Sequence, residues 1–302
     1  PEEAVGLRLI EDLEALRGTF SGESPQLPRL KKRTDRPDLK SWLKSVQEVL
    51  VLLEKGPLEK LVLARKSDLR LDKALRPLAF LHEIQKATNN CFYFYFQPRK
   101  DACFLGASPE RLYCRQGRGL KTEAIAGTRP RGKNPHENED FRKSLLGSPK
   151  DLREHRYVVE FLESGLRNLC STNQVSRAIS VLELKEGMHL FSEFKGMLKE
   201  GVSDADILKT LHPTPAVAGY TARQASEAIL KLEPFRRGWY AGAVGWVGFD
   251  AAEFAVAIRS ALIRKDQISL YAGAGIVPGS KPEAEWEEVE NKMNTFLKIL
   301  KR

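Results

Sequence analysis

The sequence has no apolar run long enough to span a membrane, and it is poor in cysteine, with four among 302 residues. None of the four forms a C-x-x-C pair. Isolated thiols inside apolar runs predict reduced core side chains in a cytosol-like compartment. These residues are Cys91, Cys103, Cys114 and Cys170. We therefore expect a protein without a membrane partner, located in the cytoplasm, or in a plastid if the source is a plant or an alga.

Sequence repeats, low-complexity segments and nucleic-acid-binding signatures are absent as well. The formal net charge is nonetheless +9, from 49 basic and 40 acidic residues. The basic tracts at residues 30–33 and 129–131 are short, and they lack the interleaved aromatic side chains on which single-stranded nucleic acid stacks. Because a positive field attracts anions of any size, we expect a small anionic substrate and no nucleic-acid partner.

The chain is long and apolar enough for one large globular domain, because 42% of its residues are hydrophobic. Helical spacing predicts helices at residues 4–16, 42–53, 78–87, 139–146, 151–169, 205–211, 222–232 and 282–300. Strand patterns occur at residues 60–69 (alternating, as in a half-buried strand), 91–97, 102–106, 111–115, 120–125, 175–184, 189–198, 241–248, 253–264 and 269–274. Adjacent strands with interspersed helices predict an α/β (α+β) fold of large, mixed, mostly antiparallel sheets covered by helices.

Three charged side chains of the closing helix share one face. Glu285, Glu288 and Lys292 lie at i, i+3 and i+7, so they leave the helix together. Spacing alone favours a solvated charged face. The preceding strand at residues 271–277 is rich in glycine, however, where backbone amides can approach a ligand and a helix start favours anions. The face is either solvated surface or one wall of a binding site.

A second acidic pair, Asp151 and Glu154, lies on the first turn of the long helix at residues 151–169. Acidic side chains there complement the helix dipole, which is a purely structural explanation. If this helix converged with the closing helix, the carboxylates would form an oxygen-ligand site suited to Mg²⁺. The sequence alone leaves both interpretations open.

Six segments, taken in order, resemble those of the chorismate-utilising enzymes, the family of isochorismate, salicylate, anthranilate and aminodeoxychorismate synthases. They are Lys60-Leu-Val-Leu-Ala-Arg65, Gly106-Ala-Ser-Pro-Glu-Arg111, Ala126-Gly-Thr-Arg129, His212-Pro-Thr-Pro-Ala-Val-Ala-Gly219, Glu253-Phe-Ala-Val-Ala-Ile-Arg259 and Tyr271-Ala-Gly-Ala-Gly-Ile-Val277. The resemblance implies the fold of that family. Its members usually have a longer region before the lysine strand, so we expect part of the N-terminal region to be missing. Residues 1–40 would then be the remnant of an upstream region, and residues 41–302 the chorismate-binding catalytic domain.

The resemblance implies two catalytic residues. Lys60 matches the general base that deprotonates the water attacking C2 of chorismate, a role that requires a lysine without its proton at neutral pH. Glu110 matches the general acid that protonates the departing C4 hydroxyl. A carboxyl in that role must stay protonated until the transition state, which an apolar setting favours.

The resemblance also implies a Mg²⁺ cofactor and a set of substrate contacts. Glu154 and Glu288 match the direct metal ligands, while Asp151 and Glu285 match acidic residues that reach the metal through water. Other residues match positions that hold the enolpyruvyl carboxylate or line the ring pocket. One of them is an arginine, whose planar guanidinium suits a carboxylate. The implied substrate-binding residues are Gly127, Thr128, His189, Ala216, Tyr240, Arg259, Gly273, Gly275 and Lys292.

Within the family, the segment after Lys60 is typical of enzymes that attack with water rather than ammonia. Salicylate synthases share this lysine and then eliminate pyruvate, but they tend to carry Phe-Pro-Ser-Ile-Thr where this chain has residues 212–216. The loop therefore resembles that of isochorismate synthases, whose product feeds menaquinone, phylloquinone, siderophore or salicylate synthesis. Salicylate synthase is the alternative. We expect a monomer or a weak dimer.

Overall fold

The computed structural model describes residues 27–175, 179–185 and 187–301. The predicted helix at residues 4–16, like most of the predicted upstream remnant, lies outside the described residues. The helices are α1 (Leu39–Lys55), α2 (Pro77–Ala87), α3 (Pro135–Leu146), α4 (Pro149–Leu169), α5 (Asp204–Leu211), α6 (Ala222–Leu232) and α7 (Pro282–Leu300). The first strands are β1 (Leu30–Arg36), β2 (Lys60–Leu71), β3 (Phe92–Arg99), β4 (Ala102–Ser108), β5 (Arg111–Gln116), β6 (Gly119–Arg129) and β7 (Cys170–Val175). The others are β8 (Ser180–Glu183), β9 (Met188–Leu198), β10 (Gly219–Tyr220), β11 (Ala243–Val247), β12 (Ala251–Val256), β13 (Ser260–Arg264) and β14 (Gln267–Ile276).

Two seven-stranded sheets organise these elements. The first sheet has the order β1-β2-β14-β13-β4-β3, with β10 also paired to β2. The second has the order β11-β12-β5-β6-β9-β7, with β8 also paired to β9. The pairings within the described ranges are antiparallel. The expected α+β fold with mostly antiparallel sheets is therefore confirmed.

Helix starts follow from local sequence. Ser148 caps α4 by accepting a hydrogen bond from the Asp151 amide, and Pro149 occupies the first turn, where its missing N–H costs nothing. Pro282 likewise occupies the first turn of α7, which has no side-chain cap. Both helices start within one residue or two of the predicted positions, because capping residues and proline act locally.

Two apolar cores lie on opposite faces of the first sheet. The first core joins this sheet to α1, α2, α6 and α7, through side chains such as Trp42, Phe80, Ile229 and Phe296. The second core lies between the two sheets and also takes in α4 and α5. Strand β2 runs between the cores, so both of its faces are buried over residues 60–65. The expectation of a half-buried strand was wrong for residues 60–65, because the second sheet and α4 cover the face that alternation assigned to solvent. Residues 66–71 do alternate in burial.

Two predicted strands prove to be pairs of strands. Residues 253–264 contain β12 in the second sheet and β13 in the first, with a turn between them where Arg259 has a φ of 48°. Residues 175–184 include only the end of β7, which begins directly after α4, and then β8. Continuous apolar sequence concealed the first break, because each half is buried in its own sheet. The sequence did not indicate β1, whose charged residues 30–36 pair with β2.

Among the helices of the described ranges, none has both the length and the apolar character that crossing a membrane requires.

We expect Leu105→Ala to lower the free energy of unfolding by about 2–5 kcal/mol, the usual cost of emptying a buried leucine site. Leu105 lies in β4 and is 0% exposed. The measurement is guanidinium denaturation followed by fluorescence. Leu230→Ala on α6 is the control, because Leu230 is 81% exposed and its loss should change the free energy by less than about 0.5 kcal/mol. Equal effects of the two changes would contradict the assignment of the first core.

Candidate active site

A cavity opens where β14, β2, α4 and α7 approach the second sheet. Twelve of the fifteen residues proposed from the sequence line it. They are Glu110, Gly127, Thr128, Glu154, His189, Ala216, Tyr240, Arg259, Gly273, Gly275, Glu288 and Lys292. The structure thus brings residues distant in the chain into one pocket.

The pairing of β14 with β2 creates the floor of the pocket. In this register Gly275 lies opposite Val62 and Gly273 opposite Ala64. A Cβ added at Gly275 would come within 2.1 Å of Glu154 Oε1 and 2.9 Å of Lys60 Cε. Glycine is therefore needed at this point, because any side chain would displace two charged groups.

Lys60 lies beneath this floor and does not line the cavity. Its side chain has no exposed surface, and its ammonium lies 3.1 Å from Glu154 Oε1. Strand β10 fixes the backbone of Lys60 by pairing it with Tyr220. A buried ammonium needs a counter-charge, and Glu154 supplies it from the first turns of α4.

Glu110 occupies the turn between β4 and β5. Its amide donates to the Ser108 hydroxyl at 3.2 Å, and its carbonyl accepts from Val256 N at 3.0 Å. Burial raises the pKa of Glu110 to about 7, against the opposing positive charges of Lys60 and Lys292. The carboxyl is therefore protonated in a large fraction of molecules at neutral pH, which is the state that a proton donor requires.

One face of α7 carries charged groups into the site, although spacing alone favoured a solvated surface. Lys292 Nζ donates to Glu288 Oε1 at 2.6 Å and to the Gly273 carbonyl at 2.9 Å. Burial acts to raise the pKa of Glu288, but the charges of Lys292 and Lys150 hold it below its ordinary value. Glu288 is therefore a carboxylate at neutral pH, so the face is a wall of the site and not a solvated surface.

Asp151 and Glu285 lie behind the cavity wall rather than in it. Arg129 Nη2 donates to Asp151 Oδ2 at 2.7 Å, and Lys150 forms an ion pair with Glu285. Burial, followed by the charge of Glu288, raises the pKa of Glu285 to about 7. Sequence reasoning missed Lys150 and assigned no role to Arg129. The position of Lys150, next to Asp151 at the start of α4, was the available signal.

The donor set of the site suits a hard cation. Within the described ranges, no cluster of three or more His, Cys, Asp and Glu side chains is arranged to hold a metal ion by itself. Glu154 and Glu288 nevertheless both line the cavity, and Glu285 Oε2 is buried without a hydrogen-bond partner. Mg²⁺ typically takes one or two carboxylates and completes its shell with water and substrate oxygens. The residues present therefore fit Mg²⁺.

His189 of β9 and the last residues of β6 form another wall of the site. The ring Nδ1 of His189 lies 3.0 Å from the Gly127 carbonyl and 3.2 Å from the Thr128 hydroxyl. Burial, together with the charge of Arg259, lowers the pKa of His189 to about 3. The ring is therefore neutral, with Nδ1–H donating to Gly127. Its Nε2, buried without a hydrogen-bond partner, is left as an acceptor.

Arg259 and Tyr240 lie where the chain crosses from the second sheet to the first. The Arg259 carbonyl accepts from Ala107 N at 3.1 Å, which fixes the turn between β12 and β13. Tyr240 is buried and stacks on Tyr271 with ring centroids 5.4 Å apart. Burial raises the pKa of Tyr240, so its hydroxyl keeps its proton. The turn thus brings a guanidinium and a phenol to one end of the pocket.

Sequence reasoning missed the apolar part of the lining. Its members share no motif beyond their place in strands or loops beside the charged residues. They are Val62, Pro109, Ile125, Ala126, Val217, Ile258 and Ala272. A pocket with apolar walls and a few converging charges suits a compact anion that carries an apolar ring.

The sequence of this chain is similar to those of known proteins. The sequence profile of the family described as chorismate binding enzyme matches residues 3–301. Isochorismate synthase 2, chloroplastic, from Arabidopsis thaliana is 37% identical over 300 residues, which cover 95% of this chain and 53% of that protein. Isochorismate synthase MenF from Haemophilus influenzae is 37% identical over 264 residues, covering 87% of this chain and 61% of that protein.

A solved structure agrees with these matches. The menaquinone-specific isochorismate synthase MenF from Escherichia coli superimposes with a TM-score of 0.86 at 33% identity, over 96% of this chain and 68% of that one. The present chain spans 53% and 61% of the length of the two curated relatives described above.

We expect Glu110 to carry a proton below about pH 7 and to lose it above, because its pKa is raised to about 7. The measurement is the infrared difference between the protein and Glu110→Gln as a function of pH. The band of the protonated carboxyl should be present in acid and should fade as the pH rises through neutrality. Asp206→Asn is the control, since hydrogen bonds from Ser203 lower the pKa of Asp206 and its band should fade in the acid range. A Glu110 band that vanished in the acid range would contradict the assignment.

Proposed function

The chain belongs to the family of chorismate-binding enzymes, and we propose that it is the catalytic part of an isochorismate synthase. The reaction would convert chorismate to isochorismate by adding water at C2 and expelling the C4 hydroxyl. The assignment covers residues 41–302 as the catalytic domain and a small-molecule substrate as the partner.

One observation carries this proposal: a buried carboxyl with a pKa of about 7 lines a pocket that also holds Arg259 and Lys292, and a buried lysine lies directly beneath the floor of that pocket. Their charges act on each other, because Lys60 is among the groups that lower the pKa of Glu110. Water attack needs a base on one side of the reacting ring and an acid for the leaving group. The similarity of the chain to isochorismate synthases supports the same reaction.

Lys60 and Glu110 divide the proton transfers between them. Lys60 acts as the neutral amine, which forms when its ammonium releases a proton to solvent. The amine takes a proton from the water molecule as the water oxygen bonds to C2, and the ring double bonds shift. The C4–O bond then breaks, and Glu110 donates its proton to the departing oxygen, which leaves as water. One water enters and one leaves, so the reaction is an isomerisation.

The substrate carboxylates would bind to the cations that line the pocket. Arg259 offers a planar fork of donors that can hold a carboxylate through two hydrogen bonds, and Lys292 adds an ammonium beside it. Tyr240 would donate from its protonated hydroxyl. These contacts hold the enolpyruvyl carboxylate, while Gly127 and Thr128 lie beside the ring carboxylate.

Glu154 and Glu288 would hold Mg²⁺, with Asp151 and Glu285 reaching it through water. When bound, Mg²⁺ would neutralise the ring carboxylate of chorismate while charge shifts during the displacement. The support for this part is the pair of carboxylates in the cavity wall and the unpaired Glu285 oxygen behind them.

The decisive experiment incubates the purified chain with chorismate and Mg²⁺ and separates the products by chromatography. Isochorismate as the product supports the proposal. Salicylate, detected by its fluorescence, would instead indicate that pyruvate is eliminated in a second step. Unchanged chorismate with and without Mg²⁺ would contradict the proposal for this chain.

We expect Lys60→Ala to reduce turnover by at least about 10²-fold, because water is a poor nucleophile without a positioned base. Chorismate binding should persist, since Arg259 and Lys292 hold the carboxylates. The measurement is the steady-state rate of isochorismate formation beside a calorimetric titration with chorismate.

Two further variants distinguish loss of the base from loss of the positive charge. Lys60→Arg keeps a positive charge but cannot act as a base at neutral pH, so it should be as inactive as Lys60→Ala. Lys66→Ala changes a lysine on the same strand outside the pocket and should leave turnover unchanged. Full activity of the arginine variant would mean that Lys60 supplies charge rather than basicity.

We expect Glu288→Gln to abolish turnover at ordinary Mg²⁺ concentrations, because a site with two carboxylates loses half of its protein charge. The fold should remain, so circular dichroism and melting temperature serve as checks. Glu287→Gln on the same helix is the control, because Glu287 is exposed. Near-normal activity of Glu288→Gln across a Mg²⁺ titration would rule out the metal assignment.

A further inference from the structure

Arg65 is the one wholly buried arginine among the described residues, and the proposed chemistry gives it no task. It lies on β2, five residues after Lys60, with a relative exposure of 0%. Its Nε and Nη1 have no hydrogen-bond partner within the described part of the chain. Because a buried charge is costly unless it is paired, its contacts should reveal what it holds in place.

The charge of Arg65 is paired with Glu290 of α7. Arg65 Nη2 donates to Glu290 Oε2, and Arg33 of β1 donates to the same carboxylate through Nη1 and Nη2, each at 2.6 Å. Asp35 accepts a further hydrogen bond from Arg33 Nε at 3.0 Å. One carboxylate of α7 is thus held by two arginines from neighbouring strands of the first sheet.

The helix also contacts Arg65 through an aromatic ring. The guanidinium carbon lies 3.7 Å from the ring centroid of Trp286, one turn before Glu290. Met293 Sδ accepts a hydrogen bond from Ser67 of β2 at 3.1 Å. The Trp286 ring over the guanidinium and the Glu290 carboxylate at its edge therefore bind Arg65 to the same side of the helix.

Trp286, Glu290 and Met293 occupy the flank of α7 that faces away from the charged groups of the site. At about 100° per residue, Glu290 points roughly opposite to Glu288 and Lys292. Rotation of the helix about its axis would therefore move both flanks together. Apolar packing of α7 on the sheet is not directional, whereas Arg33 holds the Glu290 carboxylate through two hydrogen bonds and Arg65 adds a third, so the direction of this side chain is fixed.

We propose that Arg33 and Arg65, acting through Glu290, are positioning residues that fix the rotation of α7 and thereby aim Glu288 and Lys292 into the pocket. The inference rests on the proposed function for its kinetic readouts. None of the three residues lines the cavity, so they act on substrate and metal only through the helix.

The test compares Glu290→Gln, Arg65→Met and the double variant with two controls. Glu287→Gln changes an exposed carboxylate of the same helix, and Arg70→Met changes a largely exposed arginine of the same strand, 62% exposed at its side chain. For each protein we would measure kcat, KM for chorismate, the Mg²⁺ concentration for half-maximal rate, the Mg²⁺ dissociation constant by calorimetry, and the melting temperature.

We expect each single variant to lower kcat/KM by about tenfold to 10²-fold, the scale on which a small misplacement of reacting groups acts. The Mg²⁺ requirement and the Mg²⁺ dissociation constant should rise by several-fold, because Glu288 is no longer aimed at the metal. The double variant should lose no more than either single one, since the residues act as a unit. Both controls should match the unaltered protein.

A merely structural role would give a different result. It would lower the melting temperature and the active fraction, but the folded molecules would keep the native KM and the native Mg²⁺ constant. That outcome would overturn the inference. If Glu290→Gln did not fold, Arg33→Lys would carry the same test, because it keeps the charge at a partly exposed position and loses the fork.

Failure of the proposed function remains distinguishable from failure of this inference. The unaltered protein and the two controls report on chorismate turnover without touching Glu290. If these were inactive while Mg²⁺ still bound, the calorimetric constants of the variants would decide the inference alone. Mg²⁺ constants equal to those of the controls would refute it.

Discussion

The ion pair between Lys60 and Glu154 is the constraint on which the rest of the site depends. It joins β2 of the first sheet to α4, the helix that packs on the second sheet, and the lysine has no exposed surface. Because an interior ammonium without a counter-charge is strongly unfavourable, strand and helix must stay in register. The backbone around the pair has glycines where a side chain would collide with it. Gly275 leaves room for both charged groups, and a Cβ at Gly219, whose φ is 149°, would lie 2.3 Å from the Lys60 carbonyl.

The four carboxylates of the site, Asp151, Glu154, Glu285 and Glu288, also need counter-charges. Four carboxylates would repel one another in a poorly solvated site, and burial would then protonate some of them. Each of the four has a basic partner: Asp151 with Arg129, Glu154 with Lys60, Glu285 with Lys150, and Glu288 with Lys292. Burial and the charge of Glu288 nevertheless raise the pKa of Glu285, which lies behind the pocket wall, to about 7. Glu110 has no such pairing, and burial dominates its pKa, so it is the carboxyl of the pocket wall that is suited to donate a proton at neutral pH.

Local signals predicted the helices well and some strands poorly. Proline and capping serine mark the start of α4, and the boundaries of α6 and α7 agree with those expected, because these signals act over a few residues. The break between β12 and β13 was missed, since both halves are apolar and the turn depends on Arg259 adopting a positive φ. Strand β1 was missed because its charged side chains are neutralised by partners distant in the chain, such as Glu290 for Arg33.

The sequence by itself determined the residue types of the site, the helical face shared by Glu285, Glu288 and Lys292, and the family to which its six segments point. Periodicity and motif order are properties of the chain and need no partner. Only the tertiary structure decided that α4 and α7 converge, that Lys60 is buried against Glu154, and that Arg65 reaches Glu290 across 225 positions of sequence. These outcomes depend on the antiparallel register of β2 with β14 and on burial, which raises or lowers a pKa only after distant segments have excluded water.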